Sequence, residues 1–375
     1  MLKIATIVGT RPEVIRMASC IKLFDQVFQH RLIHTGQNQD PKLNSVFFSD
    51  LEIRNPDLYL QNTSGSFGSF VGQVFPQIER EFQSNRPDAV VVLGDTNSAL
   101  VAIVAKRMQI PVYHLEAGNR SFDQNVPEEI NRRIIDHTAD FNLAYTEQAK
   151  QNLLNEGLHP RFISVIGSPL REVIDSQRKR MLNSNILNEM KIEKDNYFLV
   201  STHRQENIDD PSRLLMLTKS LNEISKKYRN PIIVSTHPRL RDKINKLKYT
   251  IDPQIFFSEP FGFLDYLSLQ VNARLVISDS GSVSEEAAIL GFKAITIRDS
   301  IERPEAIEAG TIILSGIDPI SVLSAIHMAM ILESHTSVPT EYLIDDTSSR
   351  VAKFIQSTLP QFEFWTGIRE KHKLN

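Results

Sequence analysis

The sequence predicts an α/β protein made of two doubly wound parallel-sheet domains facing each other across a cleft. Short β-branched runs alternate with helical patterns from the first residues onward, which implies parallel sheets covered by helices. That alternation breaks once, over the polar, helix-prone residues 169–195, and then restarts. The polar clusters that stand out along the chain also fall at predicted strand ends. At 375 residues the chain suits two domains, each large enough for its own core.

Residues 4–8 form the first expected strand, followed by Gly9-Thr10-Arg11-Pro12-Glu13 and a helix to about residue 28. A second strand, 31–35, leads into Gly36-Gln37-Asn38, and a helix is expected over 68–83. The unbroken apolar run 89–93 reads as a buried strand ending in Gly94-Asp95-Thr96-Asn97, before a helix at 98–108. Residues 111–115 end in Glu116-Ala117-Gly118, and after a polar loop Pro127-Glu128-Glu129 opens a helix. Proline suits the first helical position, and acids in the first turn complement the helix dipole. A strand at 141–145, a helix from Glu147 and a strand at 163–166 complete the first set.

The second set begins with a strand at 197–202 that runs into His203-Arg204-Gln205-Glu206-Asn207. Strands at 231–236 and 254–257 end in His237-Pro238-Arg239 and Pro260-Phe261-Gly262. The strand at 274–278 meets Asp279-Ser280-Gly281-Ser282 and a helix through Leu290. Strands at 294–297 and 311–314, then helices at 319–333 and 348–358, finish the chain. The expected divisions are 1–168, 169–347 and a C-terminal helical segment, 348–375.

The net charge of -3 exerts no global pull on nucleic acid or anionic lipid, so neither is an expected partner. The single cysteine, Cys20, rules out an intrachain disulfide and reads as a small buried residue in a reducing compartment. No signal peptide is evident, and no apolar run reaches the roughly 18 residues of a membrane span. The expectation is a cytoplasmic enzyme or binding protein.

Ligands in such folds lie at the carboxyl ends of strands. A strand that merely turns needs Gly, Asn or Pro, not Arg11, Asp95, Glu116, His203, His237 and Ser280. Asp95, Glu116 and Glu128, three acids at one edge of the first domain, suggest proton transfer, although each alone also suits a helix cap. Glu128, Arg132 and Asp136 share one helix face, with Ile130 and Ile134 on another. That spacing equally fits an ordinary helix with Glu–Arg pairs on a solvated face.

Asp279-Ser280-Gly281-Ser282 before a helix offers backbone N–H groups and a positive dipole end to a phosphate, with Glu285 and Glu286 placed to take ribose hydroxyls. An Asp/Ser N-cap reads the same way. Arg11 suits a phosphate or a plain helix start, and His203 suits proton transfer, phosphate donation or a structural bond. There is no HExxH, cysteine cluster, GxGxxG or P-loop, so no metal and no bound cofactor is expected. The residues alone therefore describe an α/β enzyme that binds a phosphorylated ligand, expected to be a nucleotide.

The same segments resemble the non-hydrolysing UDP-N-acetylglucosamine 2-epimerase family over nearly the whole chain. The matching stretches are Gly9-Thr10-Arg11-Pro12-Glu13, Leu93-Gly94-Asp95-Thr96, His114-Leu115-Glu116-Ala117-Gly118, Pro127-Glu128-Glu129-Ile130-Asn131-Arg132, Thr202-His203-Arg204, Asp279-Ser280-Gly281 and Arg298-Asp299-Ser300-Ile301-Glu302-Arg303-Pro304-Glu305. The resemblance implies two Rossmann-like domains in the GT-B arrangement, with the C-terminal helix packing back on the first. It also implies a substrate class, a UDP-2-acetamido sugar inverted at C2, with UDP leaving and re-adding through a glycal and no metal or redox cofactor. By matching position, Asp95, Glu116, Glu128 and His203 are the catalytic candidates. Arg11, Arg16, Ser280, Gly281, Ser282, Glu286 and Arg303 match nucleotide-holding positions, Tyr266 an aromatic beside uracil with Phe261 nearby, and Arg132 and His237 polar cleft positions.

Arg16 stands where common members have lysine, Gln37-Asn38-Gln39-Asp40 and Gln205 depart from family residues, and the loop at 119–127 is short. These departures resemble the branch converting UDP-2-acetamido-2,6-dideoxy-L-talose to UDP-N-acetyl-L-fucosamine for capsule and O-antigen polysaccharides. The alternatives are interconversion of UDP-N-acetylglucosamine and UDP-N-acetylmannosamine, a hydrolysing epimerase, a GT-B glycosyltransferase and a non-catalytic UDP-sugar sensor. The family also implies a homodimer.

Overall fold

The computed structural model describes residues 1–38, 48–63, 65–202, 204–236, 238–247, 249–332 and 338–368, with backbone alone at 205, 206, 238, 239, 241 and 245. It contains two compact units, Met1–Val173 with Ile344–Asn375, and Ile174–Leu343. The sequence pattern placed the divisions at 168 and 347. The helix-prone crossing holds the helix Leu170–Leu182, whose first turn belongs to the first unit. There Glu172 accepts the Ser348 backbone N–H at 2.9 Å.

The first unit holds a seven-stranded parallel sheet: β1 (Lys3–Val8), β2 (Gln29–His34), β3 (Leu58–Tyr59), β4 (Ala89–Leu93), β5 (Val112–Leu115), β6 (Phe141–Ala144) and β7 (Ile163–Val165). Their spatial order is β3-β2-β1-β4-β5-β6-β7. The two-residue β3 is too short to leave a periodic signal, and it has no counterpart among the expected strands. Side chains alternate between two covered faces, as a parallel sheet requires. Val90 and Val92 meet Phe70, Val74, Ile78 and Phe82 of the Phe67–Ser84 helix.

On the opposite face Tyr113 stacks on Phe141 with ring centroids 4.6 Å apart, and both rings meet Phe354 edge-on. Phe354 belongs to the C-terminal helix Thr347–Thr358, which lies beside the first helix, Arg11–Val27. The Tyr113 and Thr358 hydroxyls bond at 2.8 Å. Burying one such aromatic ring stabilises by about 2–3 kcal/mol, and the stacked pair adds about 1 kcal/mol.

The second unit repeats the plan with β8 (Phe198–Ser201), β9 (Ile232–Ser235), β10 (Ile255–Ser258), β11 (Leu275–Ser278), β12 (Ala294–Thr296) and β13 (Ile313–Leu314), in the order β10-β9-β8-β11-β12-β13. Phe198, Val200, Ile232, Val234 and Ile277 pack on Leu214, Leu217 and Leu221 of the Pro211–Tyr228 helix. Leu199, Ile233 and Val276 face the other layer with Leu269 and Ala287. The helices Pro211–Tyr228 and Phe263–Asn272 supply crossovers that the strand pattern required without locating.

In each sheet the chain order reverses once, between β1 and β4 and between β8 and β11. Loops leaving the two strands there run to opposite sides and open a crevice. Among the described residues no helix is long and apolar enough to cross a membrane.

Candidate functional site

The crevice of the first unit is framed by the turns after β1 and β4. Glu13, at the start of the Arg11–Val27 helix, joins them. Its Oε2 accepts the backbone N–H groups of Gly9 (2.9 Å) and Thr10 (2.7 Å) and the Thr10 hydroxyl (2.8 Å). Its Oε1 accepts the Thr96 hydroxyl at 2.7 Å. Burial outweighs these donors and pushes the Glu13 carboxyl up to about 7. The sequence places Glu13 in a motif without marking it as a site residue. Its position three residues after Thr10, the spacing of a capping box, is the signal for it.

Asp95 and Glu116 stand at the ends of neighbouring strands, since β4 and β5 pair in register as far as Leu93 opposite Leu115. Each acid has a guanidinium. Arg132 Nη2 lies 2.6 Å from Asp95 Oδ2, and Arg16 Nε lies 3.6 Å from Glu116 Oε2. Arg16 also lies over the Tyr145 ring, 5.8 Å from its centroid. Asn131 donates to the Asp95 carbonyl at 2.9 Å, and Asn119 to Glu116 Oε1 at 3.4 Å. Glu116 has φ +66°, the left-handed region that non-glycine residues rarely adopt. Arg11 is half-buried at the β1 turn, and Glu128 is half-buried in the first turn of the Pro127–Thr138 helix.

That helix reverses the solvated-face reading. Its charged residues Glu129, Arg132 and Asp136 are buried, while Ile130 and Ile134 are 58% and 38% exposed. Arg132 reaches Asp95 and also bonds Glu129 at 3.0 Å. Burial raises the Glu129 carboxyl, but the Ser121 N–H and Arg132 outweigh that and hold it below its usual value.

In the second unit Asp279 ties the two turns of the crevice together. Its Oδ2 accepts the Thr202 hydroxyl (2.8 Å), the Arg204 backbone N–H (3.1 Å) and the Asn207 amide (3.0 Å). Ser280, Gly281 and Ser282 then lead into the Val283–Leu290 helix, with the Ser280 and Ser282 hydroxyls 3.0 Å apart. Arg303, almost fully buried, donates to the Gly281 carbonyl at 2.9 Å and lies 3.2 Å from Glu285. Arg303 therefore braces the turn from behind.

A Cβ on Gly281 would lie 2.4 Å from Glu302 Oε1 and 2.8 Å from Arg303 Nη1, so both side-chain tips would have to shift. A bare turn before a helix N-terminus lets a phosphate approach backbone N–H groups closely. Glu286 accepts the Gln270 amide at 2.6 Å. Phe261 and Tyr266 are half-buried against the core next to Leu269 and Val276. His203, His237, Gln39 and Asp40, and the side chain of Gln205, lie outside the described residues.

Comparisons with known proteins converge on one family. A family model described as UDP-N-acetylglucosamine 2-epimerase matches residues 23–356. The UDP-N-acetylglucosamine 2-epimerase of Methanocaldococcus jannaschii is 38% identical over 339 residues, covering 88% of this chain and 92% of the relative. A Pseudomonas aeruginosa relative, UDP-2,3-diacetamido-2,3-dideoxy-D-glucuronate 2-epimerase, is 32% identical over 84% of this chain and 88% of its own.

Among solved structures, the UDP-N-acetylglucosamine 2-epimerase from Rickettsia bellii superimposes with TM-score 0.91 and 38% identity, covering 98% of this chain and all of its own. The Methanocaldococcus jannaschii enzyme in complex with UDP-GlcNAc and UDP gives TM-score 0.89 and 35% identity over 95% of this chain and 100% of its own. The fold is GT-B-like, as in these neighbours. The chain belongs to the UDP-N-acetylglucosamine 2-epimerase family and is a non-hydrolysing UDP-sugar 2-epimerase, an isomerase.

Proposed function

We propose that this epimerase inverts C2 of UDP-2-acetamido-2,6-dideoxy-L-talose, giving UDP-N-acetyl-L-fucosamine for surface polysaccharides such as capsule or O-antigen. The C2 proton is only weakly acidic because no carbonyl adjoins it, so its removal is coupled to departure of UDP. The C2–H electron pair becomes the C1=C2 bond of a glycal while the C1–O pair leaves with the diphosphate. Re-addition of UDP with proton delivery to the opposite face of C2 completes the inversion. One group must take a proton and another return one, which calls for more than one acid.

The observation that carries this reading is the pair of acids, Asp95 and Glu116, at adjacent strand ends, each beside its own arginine. Asp95, Glu116, Glu128 and His203 are assigned to proton transfer. Arg11, Arg16, Ser280, Gly281, Ser282, Glu286 and Arg303 are assigned to holding the nucleotide or the turn that holds it. Phe261 and Tyr266 are assigned to the base, and Arg132 and His237 to the sugar side. The 6-deoxy-L-hexose choice is supported by the departures at Arg16, Gln205 and the short loop at 119–127. Arg16, almost fully buried against Glu116 and Tyr145, is built into the acid cluster rather than its rim.

The second reading, interconversion of UDP-N-acetylglucosamine and UDP-N-acetylmannosamine, is favoured by the names of the 38%-identical relative and structure. One assay separates them: each UDP-sugar is offered in deuterated water and C2 is followed by NMR. Exchange with the L-talose compound supports the first reading, and turnover of the glucosamine compound alone overturns it. A cytoplasmic homodimer belongs to the same proposal, and light scattering at assay concentration would test the dimer.

A further inference from the structure

We propose that Asp136, held by Arg120 and His114, is a positioning residue that fixes the loop carrying Glu116 in its left-handed conformation. The proposal rests on the epimerase reading for its kinetic test only. Asp136 is fully buried, and its two carboxylate oxygens accept the Gly118 backbone N–H at 3.3 and 3.2 Å. Gly118 lies two residues after Glu116, in the same turn. Arg120 Nη1 donates to Asp136 Oδ2 at 2.7 Å and to the Asn119 carbonyl at 2.7 Å, so one buried guanidinium grips the loop from both sides.

Arg120 is itself held by a bidentate pair with Glu156, 2.7 Å on each arm, which pulls the Glu156 carboxyl down to about 2. His114 is the third member. Its Nε2 donates to the Gly94 carbonyl at 2.8 Å, and its Nδ1 lies 2.9 Å from Asp136 Oδ1, within ion-pair distance though off hydrogen-bond alignment. Gly94 directly precedes Asp95. One buried acid is thus linked to the turns that carry both Glu116 and Asp95.

The Glu116 conformation is strained for a residue with a Cβ and persists only when its surroundings impose it. Asp136 supplies that imposition through acceptors alone, since the Gly118 N–H and the Arg120 guanidinium both donate to its carboxylate. An amide in its place would set an N–H against one of them. The Pro127–Thr138 helix turns this acid inward beside the buried Ile135 and leaves Ile130 and Ile134 outside.

The test is D136N, with R120K as a second variant that keeps a cation but loses the fork, each alone and combined with E116Q. A misplacement of about 1 Å costs about 100-fold in rate, so D136N should lower kcat for C2 exchange by about that factor, with KM and UDP affinity within about twofold. Added to E116Q, it should cause little further loss, because both changes disable one group. Activity within about threefold of wild type in either folded variant, or a loss that adds in full to E116Q, would overturn the proposal. A crystal structure of either variant decides independently of any substrate: Glu116 should leave the positive-φ region, and its retention there would refute the assignment.

Discussion

Replacing Glu13 by glutamine separates the burial cost of a carboxylate from the bonds it accepts. Glu13 is 1% exposed, and burial raises its pKa from 4.5 to about 7. Because the folded value is the higher one, the folded chain holds the extra proton between those two pH values. The stability this group contributes is complete below pH 4.5 and is lost as pH rises through about 7. The whole shift corresponds to about 3 kcal/mol, of which about 2 kcal/mol falls between pH 5.5 and 8.5.

Glutamine has no such dependence. Its oxygen still accepts from Gly9 and Thr10, and the Thr96 hydroxyl, able to accept as well as donate, turns to meet the amide. The chain has one tryptophan, Trp365, which lies in the first unit beside Phe162 and Arg161. Its fluorescence during urea unfolding therefore reports the unit that contains Glu13. From pH 5.5 to 8.5 the wild type should lose about 2 kcal/mol more than E13Q, at equal m-value. Parallel pH profiles for the two proteins would refute the burial argument.

Three further outcomes follow from the same geometry. E116Q should slow C2 exchange in deuterated water by about 100-fold or more while UDP binding, measured by calorimetry, stays within about twofold. G118A should lower unfolding free energy by about 3 kcal/mol, because a Cβ there lies 2.2 Å from the Ala149 carbonyl at φ +84° and only backbone movement relieves it. G281A should weaken UDP binding by at least about tenfold, through contact with Glu302 and Arg303, while leaving the Trp365 unfolding transition unchanged.

The strands and their ends were legible because parallel strands buried on both faces read as unbroken apolar runs, and Ala89–Leu93 is the clearest case. The motif turns were legible for a related reason: Asp95, Glu116 and Ser280 stand where a turn alone has no need of them. What escaped was whatever depends on distance along the chain. Asp279 binding Thr202, Arg204 and Asn207 spans more than seventy residues, and the Asp136 link to Gly118 and Arg120 joins a helix to a loop. No period or spacing encodes such pairings. The edge of the first unit is of the same kind, since the Glu172–Ser348 bond that ties the crossing helix to the C-terminal helix joins residues 176 apart in the chain.

The Pro127–Thr138 helix marks the limit most sharply. Spacing sorts its residues into a charged face and an isoleucine face but does not say which one turns inward. The default assigns the isoleucines to the core, since burying each would stabilise by about 1–2 kcal/mol. The structure instead buries Glu129, Arg132 and Asp136, whose desolvation is recovered only through the pairs they make with Ser121, Asp95, Arg120 and His114. Of the helix's three isoleucines that orientation buries Ile135 in the core, and a proton-transfer site accounts for the charges placed beside it. Asp95 takes its fixed partner, Arg132, from the inward face of this helix, and Asp136 on the same face holds the Gly118 turn beside Glu116.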